Sequence, residues 1–108
     1  LYLVENTINK KERETMKHIV LIKLKDRTLE NQQAVAAILK KMTTKTIPYA
    51  DSFFVGEDFL DSERSYDVLL EVELQRQDLE RYANDPFHVT VKKEFAPYMD
   101  HSVTIDVE

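Results

Sequence analysis

Hydrophobic and polar positions alternate with two distinct periods along this chain, and the switches between them mark its elements. Residues 17–25, KHIVLIKLK, alternate as a strand: His18, Val20, Ile22 and Leu24 share one face, while Ile19 and Leu21 sit between lysines on the other. Both faces are apolar in the middle. From Thr28, a favourable N-cap, the period lengthens, and Val35, Ile38, Leu39 and Met42 form one buried helical stripe with Gln32, Gln33, Lys40 and Lys41 toward the wet side. A loop over Thr43 to Pro48 leads to a second strand, Tyr49 to Phe59, where Gly56 suggests a bulge or bend. After a polar turn, Asp61 to Ser65, the third strand runs from Tyr66 to Leu74. It sets Tyr66, Val68, Leu70, Val72 and Leu74 against Asp67, Leu69, Glu71 and Glu73.

The remainder reads as a short helix from Arg76 to Ala83, a second from Asp85-Pro86 to about Ala96, and a final strand from His101 to Val107. That strand alternates His101, Val103, Ile105 and Val107 against Ser102, Thr104 and Asp106. Val89, Thr90 and Val91 are poor helix formers and weaken the second helix. The order β-α-β-β-α-β predicts an α+β, ferredoxin-like fold with a four-stranded antiparallel sheet. Such a sheet needs one apolar face for its helices and can leave the other wet. The doubly apolar first strand therefore asks for a second cover, and in a chain this short a second subunit is the expected one.

Composition narrows the function. At 108 residues the chain holds one domain. A net charge of −5 argues against nucleic acid or an anionic membrane as partner, and no apolar run reaches the length of a membrane span. Without cysteine there is no disulfide, thiolate metal site or cysteine nucleophile, and a single glycine rules out a P-loop or dinucleotide fingerprint. The absence of a secretory signal makes the cytoplasm the expected compartment. Residues 1–15 differ in character from the rest of the chain and read as an extension preceding a domain at 16–108. Lys11-Glu12 can be encoded as AAGGAG, a ribosome-binding sequence, separated from Met16 by Arg13, Glu14 and Thr15. The extension then reads as translated upstream or vector sequence, an origin the codons at those two positions decide. Leu1, Leu3 and Val4 are its candidates for contact with the domain.

Chemistry concentrates in Tyr82-Ala-Asn-Asp-Pro-Phe-His88. Asp85 caps a helix that Pro86 begins, which puts Phe87 and His88 in the first turn. The positive end of the helix dipole disfavours a protonated imidazole there, and a neutral one accepts a proton. Tyr82 can converge on the same cavity. The plain alternative is a capping or solvated histidine beside a core aromatic. A metal site from His18, His88 and His101 runs against the topology, because His18 and His101 begin antiparallel neighbouring strands and fall at opposite ends of the sheet. Glu71 and Glu73 read as a wet face or neighbours of Lys23 and Lys25, and Lys92, Lys93 and Glu94 as a solvated helix face.

HIVLIKLK, Val55-Gly56, Tyr66-Asp67 and Tyr82-x-x-x-Pro86-x-His88, in this order and spacing, resemble the stress-responsive α/β-barrel (Dabb) family over residues 17–107. The resemblance implies a homodimer, two ferredoxin-like sheets meeting face to face as a dimeric α/β barrel, with no cofactor and a pocket for a small apolar or aromatic ligand. His18, Val20, Ile22 and Phe87 are the expected lining. In a plant polyketide cyclase of the family, a Tyr and a His spaced as Tyr82 and His88 are catalytic, and a His matching His18 lies near the cavity. His88 would then take a proton alpha to a carbonyl, with Tyr82 orienting it or polarising the substrate oxygen. The chain departs from the cyclase at Asp85, where the cyclase has a His. The first reading is a small-molecule-binding, stress-associated dimer without catalysis. The alternative is an enzyme acting on a carbonyl or polyketide-like compound through His88 and Tyr82, with a cofactor-free oxygenase as its variant. Haem-degrading relatives rely on a Trp, and this chain has none.

Overall fold

A computed structural model describes residues 14–108, so the contacts expected of Leu1, Leu3 and Val4 lie outside the described residues. The elements are β1 (Thr15–Leu24), α1 (Leu29–Leu39), β2 (Ser52–Glu57), β3 (Val68–Gln75), α2 (Leu79–Ala83), α3 (Pro86–Phe95) and β4 (Met99–Val107). Single 3₁₀ turns, Arg76–Asp78 and Ala96–Tyr98, precede α2 and follow α3. The sheet order is β2-β3-β1-β4 with every neighbour antiparallel, the ferredoxin-like α+β arrangement.

Local chemistry explains most boundaries. Thr28 caps α1 by accepting from Asn31 N at 3.1 Å. The helix ends at Leu39, before Met42, yet Met42 remains buried and extends the stripe of Val35 and Leu39 into the following turn. Val68, Leu70, Val72 and Leu74 of β3 face the same core as Ile22 and Leu24 of β1. Each large aliphatic side chain removed from water there contributes about 2 kcal/mol. α3 forms despite Val89, Thr90 and Val91, because tertiary burial outweighs their propensity: Val91 is fully buried, and Thr90 Oγ1 donates back to Pro86 O at 2.9 Å.

Several expectations are corrected. β2 is shorter than 49–59, because Tyr49 belongs to the preceding turn. Gly56 makes no bulge, since the β2–β3 register runs unbroken from Ser52↔Glu73 to Glu57↔Val68. A Cβ at Gly56 would instead crowd the Phe54 ring at 3.2 Å. The irregularity falls in β4, where Lys23 pairs with His101 and Leu24 with Met99, leaving Asp100 as the extra residue. Gln32 lies off the wet side, donating to the Asp58 and Asp67 carbonyls at 2.8 Å each. Glu71 neighbours Lys17, at 3.8 Å, instead of Lys23 or Lys25, because the antiparallel register sets the end of β3 beside the start of β1.

Pairing also decides what each face of β4 meets. His18↔Asp106, Val20↔Thr104 and Ile22↔Ser102 share a face with the helices, whereas Ile19↔Ile105 and Leu21↔Val103 share the other. The strand thus turns its polar side inward and its apolar side outward. Val103, Ile105 and Phe54 are large apolar side chains left exposed on that outer face.

One buried ion pair joins the loops at the far end of the sheet. Asp67, 5% exposed, accepts from Arg27 Nε at 3.0 and 3.2 Å and from Leu24 N at 2.9 Å. Arg27 also donates to Ser62 O and Ser65 O, both at 3.1 Å. Removing one partner strands the other charge in a low-dielectric setting. Asp67→Ala is expected to lower the unfolding free energy by about 3 kcal/mol in urea titration, and a loss under about 1 kcal/mol would contradict this account.

Candidate functional site

A turn built on one carboxylate sets the site. Asp85 Oδ1 accepts from Phe87 N at 2.9 Å and His88 N at 3.3 Å, capping α3 with Pro86 in the first turn. Its Oδ2 accepts from the Tyr49 hydroxyl at 2.9 Å, over whose ring Arg81 stands at 4.0 Å. Burial first, and then the Asp85 hydrogen bond and charge, push the Tyr49 phenol up to about 12. Every oxygen of Asp85 is therefore committed to holding the corner between α2 and α3.

The corner brings the backbone of Tyr82 against the ring of His88. His88 Nδ1 donates to Tyr82 O at 2.8 Å. A carbonyl only accepts, so Nδ1 carries the hydrogen and the neutral ring keeps its lone pair on Nε2. Nε2 has no protein partner among the described residues. The Tyr82 ring stacks on His88 with centroids 4.0 Å apart and meets His18 edge-on at 5.7 Å. Its hydroxyl donates to a weak acceptor, Met42 Sδ, at 3.7 Å. On the sheet, His18 Nδ1 donates to Asp106 Oδ1 at 2.5 Å.

His88, Tyr82, His18 and Met42 line one cavity of about 370 Å³ between the sheet and the helices. Its apolar part is built by Val20, Ile22, Met42, Leu70, Phe95 and Met99. Its polar part comprises His18, Tyr82, His88, Lys92, Ser102 and Thr104. The volume is within the usual range for small-molecule sites and above the ~150 Å³ that accepts benzene.

The structure brings together His88, Tyr82, His18, Val20 and Ile22 as the sequence suggested. Phe87 is not in the lining. Successive helical residues point about a third of a turn apart, and Phe87 packs against the hydrophobic core instead. His101 is at the far end of β4 from Asp106, where its ring nitrogens meet Tyr66 and Asp100. Lys92 reaches the cavity, so that stretch of α3 is not simply a solvated face. Lys92, Ser102 and Thr104 were not singled out by sequence reasoning. The signals were present: Lys92 follows His88 by one helical turn, and antiparallel pairing of the first and last strands puts Ser102 and Thr104 beside Ile22 and Val20.

Electrostatics follow from burial. His88 titrates below the ordinary imidazole value. Desolvation is the leading cause, ahead of the charges of Lys92 and His18, while the Tyr82 carbonyl and Asp85 act in the opposite direction. The direction is the one anticipated from the helix start, and its leading cause is burial. Burial likewise raises the Tyr82 phenol, with Tyr49 and Asp85 adding, so Tyr82 stays protonated at neutral pH and serves as a donor.

Fold and cavity together define a ferredoxin-like α+β domain with a mainly apolar pocket that carries an imidazole and a phenol. The chain belongs to the Dabb family, the stress responsive A/B barrel domain, whose profile matches residues 16–108. A dimeric ferredoxin-like protein of unknown function from Bacteroides fragilis matches with a TM-score of 0.75 and 27% identity, covering 88% of this chain and 96% of that one. A dimeric ferredoxin-like protein of unknown function from Thermobifida fusca matches at 0.70 and 24%, over 85% and 88% of the two chains. The hydroxynitrile lyase of Passiflora edulis matches at 0.67 and 19%, over 87% and 92%. The last two likenesses show a shared fold alone. Comparison with curated proteins gives no match. Among the described residues no helix is long and apolar enough to cross a membrane.

The depressed His88 makes stability depend on pH with a definite sign. The unfolded imidazole binds a proton near pH 6.5 and the folded one only below that. The unfolded state therefore holds more protons in that window, and stability should fall as pH drops below about 6.5. Urea melts at successive pH values should show this loss, and His88→Gln should flatten it. An NMR titration placing His88 above free imidazole would contradict the assignment.

Proposed function

We propose that the protein is a homodimer whose cavity binds a small, mainly apolar carbonyl compound, and that His88 acts there as a base. One observation carries the reading: Nδ1 of a buried, neutral-leaning imidazole is tied to Tyr82 O, leaving Nε2 without a partner among the described residues, in a cavity shared with a phenol that meets a thioether. In this chemistry Nε2 takes a proton from the carbon alpha to a carbonyl. The C–H electrons form the enolate C=C bond, and the carbonyl π electrons move onto the oxygen. The Tyr82 hydroxyl exchanges its sulfur contact for a hydrogen bond to that oxygen. His88, now protonated, returns the proton to carbon or to a departing oxygen. Tyr82 also orients the base, through its main-chain carbonyl and its stacked ring.

The outer sheet face supports the dimer. Val103, Ile105 and Phe54 stand exposed on the same face as the half-buried Ile19, Leu21 and Leu69, apolar surface of the kind a second copy would cover. The Bacteroides fragilis relative is dimeric. A second copy placed on this face leaves the cavity, on the opposite side of the sheet, open to ligand.

Sedimentation at micromolar concentration should give twice the 12.7 kDa of one chain, and Val103→Asp with Ile105→Asp should give the single chain. A monomeric parent would remove the dimer from the proposal. For the chemistry, 4-phenyl-2-butanone in D₂O should exchange its alpha protons faster with protein than in buffer, followed by NMR. His88→Ala and Tyr82→Phe should each slow that exchange by about 100-fold. Saturable binding of the ketone with exchange no faster than buffer would reduce the site to a binding pocket.

A further inference from the structure

The polar groups of the cavity are unbalanced in sign. The chain carries 20 Asp and Glu and a net charge of −5, yet among the described residues no carboxylate lines the cavity, while Lys92 does. The ammonium of Lys92 has no ion-pair partner among the described residues, in contrast to Lys41, which reaches Glu94 at 2.6 Å. Lys92 follows His88 by four residues on α3, so the two share a helical face, and its charge is close enough to bear on the imidazole. Across from them, the hydroxyls of Ser102 and Thr104 on β4 make no hydrogen bond to protein among the described residues. Asp106, the acid adjoining this wall, accepts from His18 Nδ1 and lies outside the lining. The other acid the strand could offer is Asp100. The bulge makes it the unpaired residue and gives the place beside Leu24 to Met99, whose side chain enters the cavity.

We infer that the natural ligand is a monoanion, an apolar compound ending in a carboxylate, whose negative group sits at the mouth between Lys92 and the Ser102 and Thr104 hydroxyls. The apolar body fills the space lined by Val20, Ile22, Leu70 and Phe95, and the carbonyl end meets His88 and Tyr82. This rests on the pocket assignment above and adds the charge of the ligand to it. The Ser102 and Thr104 hydroxyls supply neutral hydrogen bonds, and the lysine supplies the charge-assisted one that distinguishes an anion from its neutral isostere. The cavity of about 370 Å³ suits one aromatic ring with a short chain.

The test compares 4-phenylbutanoate, 4-phenylbutanamide and 4-phenyl-2-butanone by calorimetric titration of the full chain at low salt. The carboxylate should bind about tenfold more tightly than the amide. Lys92→Gln should bring the carboxylate down to the amide and leave the ketone unchanged, whereas Lys92→Arg should keep the preference. Lys92 is exposed, so these variants fold. Ketone binding with no preference for the carboxylate, or a preference that survives Lys92→Gln, would overturn the anionic assignment and spare the pocket. Binding of none of the three would overturn the pocket along with it.

Discussion

The register between β1 and β4 is the constraint on which the rest of the molecule depends. Side chains alternate faces, so pairing His18 with Asp106 and Ile22 with Ser102 settles which half of β4 meets the helices. A slip of one residue would turn Val103 and Ile105 toward the helices and Ser102 and Thr104 to the outer face. The cavity would then close with aliphatic side chains, and the outer face would lose its apolar character. A hydrophilic wall on one side of the sheet and an apolar surface on the other are two results of one pairing.

The second support is the corner between α2 and α3. Asp85 followed by Pro86 starts α3 with the carboxylate over the first free amides. That start turns the chain enough for a residue six positions back to offer its carbonyl to the imidazole. The tautomer of His88 is thus chosen by backbone geometry without recourse to another side chain. Tyr49 contributes from a distant turn, locking the same carboxylate from its other oxygen.

Much of this could be read in the sequence, for identifiable reasons. Strong alternation in HIVLIKLK and around Leu70 and Val72, the Thr28 and Asp85 caps, and the β-α-β-β-α-β order are local signals, and local signals survive into the fold. The pocket was legible only where a motif marked it, at Tyr82 and His88, or where β1 supplied an inward face. What escaped depends on pairing across long stretches of chain. Gly56 looked like a bulge, but the bulge is at Asp100, because only the approach of β1 reveals where the count of residues fails to match. Phe87 was drawn into the site by adjacency, which a helix does not respect. Gln32 looked solvated until the carbonyls of Asp58 and Asp67, 26 and 35 residues away, came to meet it.

The contact between Tyr82 and Met42 bears on how selective such a pocket can be. Sites that dedicate a buried donor to one ligand atom reject analogues lacking it, because the donor is then left unpaired. Here the hydroxyl already rests on sulfur, so a compound that brought no oxygen would forgo a gain without leaving the donor unpaired. Discrimination at that position is one-sided: it rewards a matching oxygen and tolerates its absence. Such a pocket would admit a series of related compounds, with the order among them set by what each adds.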